Sequence, residues 1–196
     1  MKRVAGLSVL SVLTVALALP AQEGAPTSPY YPLKEQATWV YDVQGGPITV
    51  KVVGKEKVKD TTGYKLETSA GGKVSATETV AITKDGIVRF NVNGLTPETP
   101  ILFFPTDPEA TKEWSVDTKV GNETIKGTFK ATKEQVVLAN GTKYDTIYVK
   151  GADMKIGTTT TTVEYWFAKD VGIVKLKFTL GAQDATLELN KYTPGK

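Results

Sequence analysis

Ile173-Val174-Lys175-Leu176-Lys177-Phe178-Thr179-Leu180 is the stretch from which the fold of this chain is read. Val174, Leu176, Phe178 and Leu180 fall on one face of an extended backbone, and Ile173, Lys175, Lys177 and Thr179 on the other. A period of two is the mark of a strand with one dry and one wetted face. A slip of one residue would carry two lysines into the core, so the pattern also fixes the register. Val88, Phe90 and Val92 alternate with Ile87, Arg89 and Asn91 in the same manner, and Leu187 and Leu189 with Thr186, Glu188 and Asn190.

Outward from these runs, turn residues recur at short intervals: Gln44-Gly45-Gly46, Asp60–Gly63, Gly71-Gly72, Lys84-Asp85-Gly86, Gly121-Asn122, Asn140-Gly141 and Val171-Gly172. Gly and Asn tolerate the positive φ that tight hairpins require. Links this short cannot make parallel crossovers. The expectation is an all-β antiparallel meander of about eleven strands, strongly curved into an open half-barrel or two packed sheets. It occupies 38–196 as a single domain.

Within it the chain resembles itself. Thr38-Trp39 opens one strand–turn–strand unit and Glu113-Trp114 another, and Asp85-Gly86-Ile87-Val88 closes the first as Val171-Gly172-Ile173-Val174 closes the second. This suggests duplicated five-strand halves, 38–93 and 113–181, joined by a crossover at 94–112. Counting back from the closing glycines makes Glu78 the counterpart of Glu164 and Arg89 that of Lys175.

The chain begins Met1-Lys2-Arg3, runs apolar from Val4 to Leu19, and offers small residues at Ala16, Ala18 and Ala21. That is the layout of a secretory signal peptide over 1–21, cleaved after Ala18 or Ala21. An apolar run of about 16 residues is short of the ~20 that a spanning helix needs. Gln22–Pro29, polar and Pro-rich, opens a flexible lead-in that reaches residue 37. The mature protein is thus expected to be exported, periplasmic or extracellular, and not membrane-spanning.

Composition narrows the chemistry. Among 196 residues there is no Cys and no His. Disulfides, thiol catalysis and Cys-ligated zinc are excluded, as are His-dependent triads and the commonest general base. Losing Lys2 and Arg3 takes 24 basic residues to 22 against 21 acidic ones, a net charge of +1 in place of +3, and leaves Arg89 as the only arginine. Nucleic-acid binding calls for clustered positive charge, so it is not expected. Asp60, Asp85, Asp107, Asp117 and Asp170 are scattered singly with no calcium-loop spacing, so neither a metal nor a cofactor is expected.

Several residues carry two readings. Glu78 and Glu164 form a formal carboxylate pair of the kind glycosidases use. If Ala168 pairs with Ile173, however, Trp166 faces Lys175 and Glu164 faces Lys177, which favours surface ion pairs over catalysis. Trp166 then stacks beneath Lys175, or serves as an exposed binding residue. Trp39 and Trp114 are expected in the core of the two units. Pro97, Pro100, Pro105 and Pro108 surround Ile101-Leu102-Phe103-Phe104. Those prolines disfavour a central strand. The apolar four either plug the core or form a lid over a cavity. Thr158–Thr162 and the sequons at Asn122 and Asn140 are accounted for by strand propensity and turn chemistry.

Tyr30-Tyr31-Pro32-Leu33 with Trp39-Val40-Tyr41 resembles the opening of uncharacterised secreted bacterial β-proteins with a Y-x-P-L…W-x-Y start. Tyr165-Trp166-Phe167-Ala168 through Gly172-Ile173-Val174-Lys175 resembles their closing W-F-A-x-x-x-G-x-V-K hairpin. The turn Asn140-Gly141-Thr142-Lys143-Tyr144-Asp145-Thr146 resembles their P-A-G-x-Y-x-T turn, with Ala139-Asn140 where Pro-Ala would stand. The resemblance implies a curved sheet similar to that of Lol-type lipoprotein carriers, and no catalytic residues. The expected function is non-enzymatic binding of an apolar small molecule or lipid on the concave face, with Ile101, Leu102, Phe103, Phe104 and Trp166 as ligand-binding residues. The alternative is an envelope or matrix interaction protein that engages an envelope protein through its exposed strands.

Overall fold

The computed structural model describes residues 27–180 and 183–196. The proposed export segment and the first residues of the lead-in lie outside the described residues.

Twelve strands follow one another in chain order: β1 Thr38–Asp42, β2 Ile48–Val58, β3 Thr61–Ala70, β4 Lys73–Ile82, β5 Gly86–Val92, β6 Ile101–Pro105, β7 Glu113–Val120, β8 Glu123–Val137, β9 Lys143–Ile156, β10 Thr159–Ala168, β11 Gly172–Leu180 and β12 Gln183–Thr193. All belong to one antiparallel sheet in the order β6-β5-β4-β3-β2-β1-β12-β11-β10-β9-β8-β7. Each strand pairs with its neighbours in sequence except β6 with β7, and β12 returns to pair with β1 through Trp39↔Tyr192 and Tyr41↔Leu189. The twelfth strand, absent from the sequence expectation, is β6. Pro105 ends it and Pro100 precedes it, and it lies at the sheet's edge, where a missing N–H is tolerated.

The two edges, β6 and β7, meet without a regular ladder. The Trp114 indole N–H donates to Leu102 O at 3.0 Å. The Thr118 hydroxyl donates to Thr99 O at 2.9 Å and lies 2.8 Å from Thr99 N. A single bridge joins Pro97 to Val120. Pro97 and Pro100 have no N–H, so side chains do the joining. The sheet therefore curls past a half-barrel into a nearly closed barrel.

Bulges supply the curvature. Register shifts occur at Val52/Gly54, Thr68/Ser69, Thr79/Val80, Lys126/Thr128, Thr161/Val163 and Trp166/Phe167. In the β10–β11 hairpin Ala168 pairs with Gly172 rather than Ile173, and Val174 is the extra residue that restores Trp166↔Lys175 and Glu164↔Lys177.

One end of the barrel is filled. Trp39, Val52, Leu66, Val80, Phe103, Phe104, Phe167 and Val174 are buried there. Phe104 and Phe167 lie 4.3 Å apart, and Trp39 stacks on Tyr192 at 5.3 Å. The stretch 30–37 seals this end instead of trailing from it, because its apolar residues have a core to enter. Tyr31, Leu33 and Ala37 are buried, Tyr31 packs on Trp39 and Phe103, and Asp170 N donates to Pro29 O at 2.6 Å. Gly172 permits the seal. Its φ is +100°, and a Cβ there would lie 3.1 Å from Tyr31 and 3.2 Å from the Trp39 nitrogen.

Candidate functional site

The other end of the barrel is open. The turns after β1, β3, β5, β7 and β9 gather there, and below them is a cavity of about 460 Å³. Its wall is mostly apolar, with Val92 and Ile101 on one side, Val116, Ile125 and Phe129 on another, Met154, Ile156, Val163, Leu176 and Phe178 on the rest, and Thr68, Thr77, Asn93 and Thr161 among them. Leu176 and Phe178 belong to the zigzag that announced the fold. They face inward as the alternation requires, but Phe178 stays 37% exposed because its face lines a space instead of a packed core. Gly151 makes room for the wall, since a Cβ there would come within 2.7 Å of the Phe129 ring.

Charge lies deep in this apolar cavity. Glu78 and Arg89 line it, joined by a 2.6 Å bond from Arg89 Nε to Glu78 Oε2, each side chain 22% exposed. The guanidinium lies over the Phe103 ring, 4.2 Å from its centroid. Tyr165, also on the cavity wall, offers it the phenol oxygen. Burial opposes the charge on Arg89, but Glu78 and Tyr165 outweigh it, and its pKa stays above the ordinary arginine value. Tyr31 and Tyr41, in the filled end, are pushed up by burial first and by the Glu78 carboxylate second. Their phenols stay protonated, and the Tyr41 hydroxyl donates to Ile173 O at 2.9 Å.

This corrects the expected surface location of the first pair. Strict alternation puts Arg89 on the wet face with Ile87 and Asn91. In the structure Phe90 is an extra residue between Val80↔Arg89 and Thr79↔Asn91. Arg89 keeps the inner face of Val80, Ile87 and Ile101, and the bulge after it brings Val92, two residues beyond Phe90, round to the same face beside Glu78.

Glu164 does lie outside the barrel. It accepts a hydrogen bond from the Tyr148 hydroxyl and lies 3.8 Å from Lys150, both on β9, rather than joining the opposite Lys177. Burial and Glu164 together hold the Tyr148 phenol well above its ordinary pKa. Beside it, Trp166 receives Lys175 over its ring at 5.5 Å, packs on Tyr148 at 4.8 Å and donates from its indole N–H to Glu134 at 3.0 Å. Trp166 is only 8% exposed. The far parts of β8 and β9 explain this, because their connecting turn folds against the outer wall, where Ala139 N donates to Glu188 at 2.6 Å.

Of the residues singled out from sequence, Ile101 lines the cavity and Phe103 lies beneath it under Arg89. Phe104 is in the filled end against Phe167 and Tyr30, Leu102 is half-buried at the β6 edge, and Trp166 is on the outer wall. Of the cavity residues missed from sequence, Ile125, Met154 and Ile156 come from strand ends near turns, where alternation is too short to read, and Val163 follows the shift at Thr161/Val163. Among the described residues no group of three or more acidic side chains is placed to hold a metal ion, and no helix is long and apolar enough to cross a membrane.

No family model matches the chain. No curated protein sequence matches it either. Among solved structures it is similar to a "putative exported protein with YmcC-like fold" from Bacteroides fragilis, with TM-score 0.44 and 12% identity over 85% of this chain and 99% of that one. It is also similar to a "putative lipoprotein" from Parabacteroides distasonis, with TM-score 0.45 and 13% identity over 86% of this chain and 100% of that one.

Proposed function

We propose that this is an exported, non-enzymatic protein that binds an apolar or lipidic small molecule in the open end of its barrel. The observation that carries the reading is the cavity: about 460 Å³, walled by apolar side chains and open on one side. Binding sites for small ligands have this size and lining, with a few polar groups that fix orientation. The Glu78–Arg89 pair and Tyr165 are those groups here. Exposed apolar side chains gather toward the same end, among them Phe178, Ile156, Val74 on the strand after the Gly71-Gly72 turn, and Leu95 beside Gly121. This supports entry of a ligand at the mouth over recognition through the strand faces. Export rests on the layout of residues 1–21, and the absence of enzymatic activity on the missing His and Cys.

The test is the fluorescence of N-phenyl-1-naphthylamine, a neutral apolar dye that brightens out of water. Wild type brightens and saturates it at one dye per chain. Ala76→Trp, which fills the cavity from β4, reduces the affinity at least tenfold. No brightening by wild type, or equal brightening by the filled variant, overturns the reading.

A further inference from the structure

We infer that the ligand of this cavity is a neutral amphiphile, an alcohol, amide or acylglycerol of medium chain length, held with its polar end down against Glu78 and Arg89. The inference rests on the cavity reading above and adds to it the charge and orientation of the ligand.

The deep end of the cavity is polar yet balanced. Arg89 and Glu78 cancel each other in a direct ion pair, and Tyr165, on the same wall, adds a hydroxyl. The pair is not saturated. Arg89 uses Nε on Glu78 Oε2 and lies over Phe103, while Glu78 Oε1 accepts no hydrogen bond from protein among the described residues. A guest here meets a carboxylate that wants a donor and a guanidinium edge that can still give one. A hydroxyl or amide offers both a donor and an acceptor and adds no charge. A carboxylate would bring a second negative charge beside Glu78 in a space with apolar walls, where an uncompensated ion is heavily penalised. An amine would do the same beside Arg89. The reverse orientation, tail down, covers the ion pair with hydrocarbon and takes away its remaining access to water, which the polar Thr68, Thr77 and Asn93 farther along the wall do not restore.

The geometry also bounds the tail. Five residues separate Glu78 from Lys73 at the mouth end of β4. At about 3.3 Å per residue this is at most about 16 Å, less the tilt of the strands. Val92, Ile125, Leu176, Phe178 and Ile156 line that path. A chain of about this reach is covered, and a longer one protrudes among the exposed apolar side chains of the mouth.

The experiment compares two ligands of equal length, decan-1-ol and decanoate, by isothermal titration at pH 8, where decanoate is ionised. Wild type is expected to bind the alcohol at least tenfold more tightly. Glu78→Gln leaves Arg89 with an unmatched positive charge and reverses the order, so that decanoate gains at least tenfold over the alcohol. Decanoate binding wild type as tightly as decanol overturns the inference and leaves the cavity reading standing. So does an order unmoved by Glu78→Gln in a variant whose dichroism matches wild type. If Glu78→Gln does not fold, the wild-type ranking decides alone. Binding of neither ligand, together with no response to the naphthylamine dye, defeats both readings.

Discussion

Glu78 and Glu164 each stand on the fourth strand of their half of the sheet, and they live in opposite surroundings. Glu78 faces into the barrel, tied to Arg89 within an apolar cavity. Glu164 faces out, shared between the Tyr148 hydroxyl and Lys150. Their assigned partners part in the same way. Arg89 lies over Phe103 inside, and Lys175 lies over Trp166 outside, bonded to Glu188 at 2.7 Å. Composition is nearly the same in the two places: an acid, a base and an aromatic ring. The difference comes from the bulges. In β5 the extra residue, Phe90, comes after Arg89 and leaves it on the inner face of Ile87, whereas in β11 the extra residue, Val174, comes before Lys175 and turns it outside.

The largest effect in this contrast should come from breaking the inner pair. Arg89→Met strands Glu78 in the cavity, and the loss is expected at about 3 kcal/mol, the low end for a buried pair because the cavity opens to water. Adding Glu78→Met should restore most of it. Urea denaturation of the two single variants and the double measures the coupling, and two single losses that simply add would show that the pair is not coupled. Breaking the outer site should do far less. Glu164→Gln keeps an acceptor for Tyr148 and loses only a long ion pair, so about 0.5 kcal/mol is expected, with ligand affinity unchanged. A loss equal to that of Arg89→Met would erase the distinction between inside and outside.

The smallest effect depends on pH. Burial alone would raise the pKa of Glu188, but Lys175 and the Ala139 N–H outweigh it and hold it below the ordinary 4.5. A carboxylate lowered in the fold stabilises it above 4.5, and that contribution is lost as pH falls from 4.5 through the depressed value. Glu188→Gln should therefore be less stable than wild type at pH 6 and converge on it near pH 3. A constant gap across that range would show that the ionised form of Glu188 contributes nothing.

Much of this architecture was legible in the residues. The zigzag of Ile173–Leu180, the glycine-marked turns and the facing of Trp166 with Lys175 carry the antiparallel meander. A period of two describes a flat ribbon, however, and the rest of the molecule arises where the ribbon is not flat. Arg89 reads as a wet-face residue because Val88, Phe90 and Val92 alternate as one dry face, and nothing there announces that Phe90 bulges and brings Val92 round to the side of Ile87 and Arg89. The stacking of Trp166 beneath Lys175 is legible, but its burial is not, because its cover comes from a turn more than twenty residues earlier, wrapped around the outer wall. Tyr31 and Leu33 were assigned to a mobile lead-in, since a short apolar patch among prolines gives no hint of the barrel end it enters. The cavity itself is a property of closure, and no single strand contains it.

Closure has one last consequence. The barrel is a hoop of eleven continuous ladders and one clasp, and the clasp is made of an indole, a threonine and a lone bridge. Widening a ladder breaks many backbone bonds together, whereas widening the clasp strains only a few. The girth of the hoop is thus set by its weakest link, and any widening is expected first between Leu102 and Trp114.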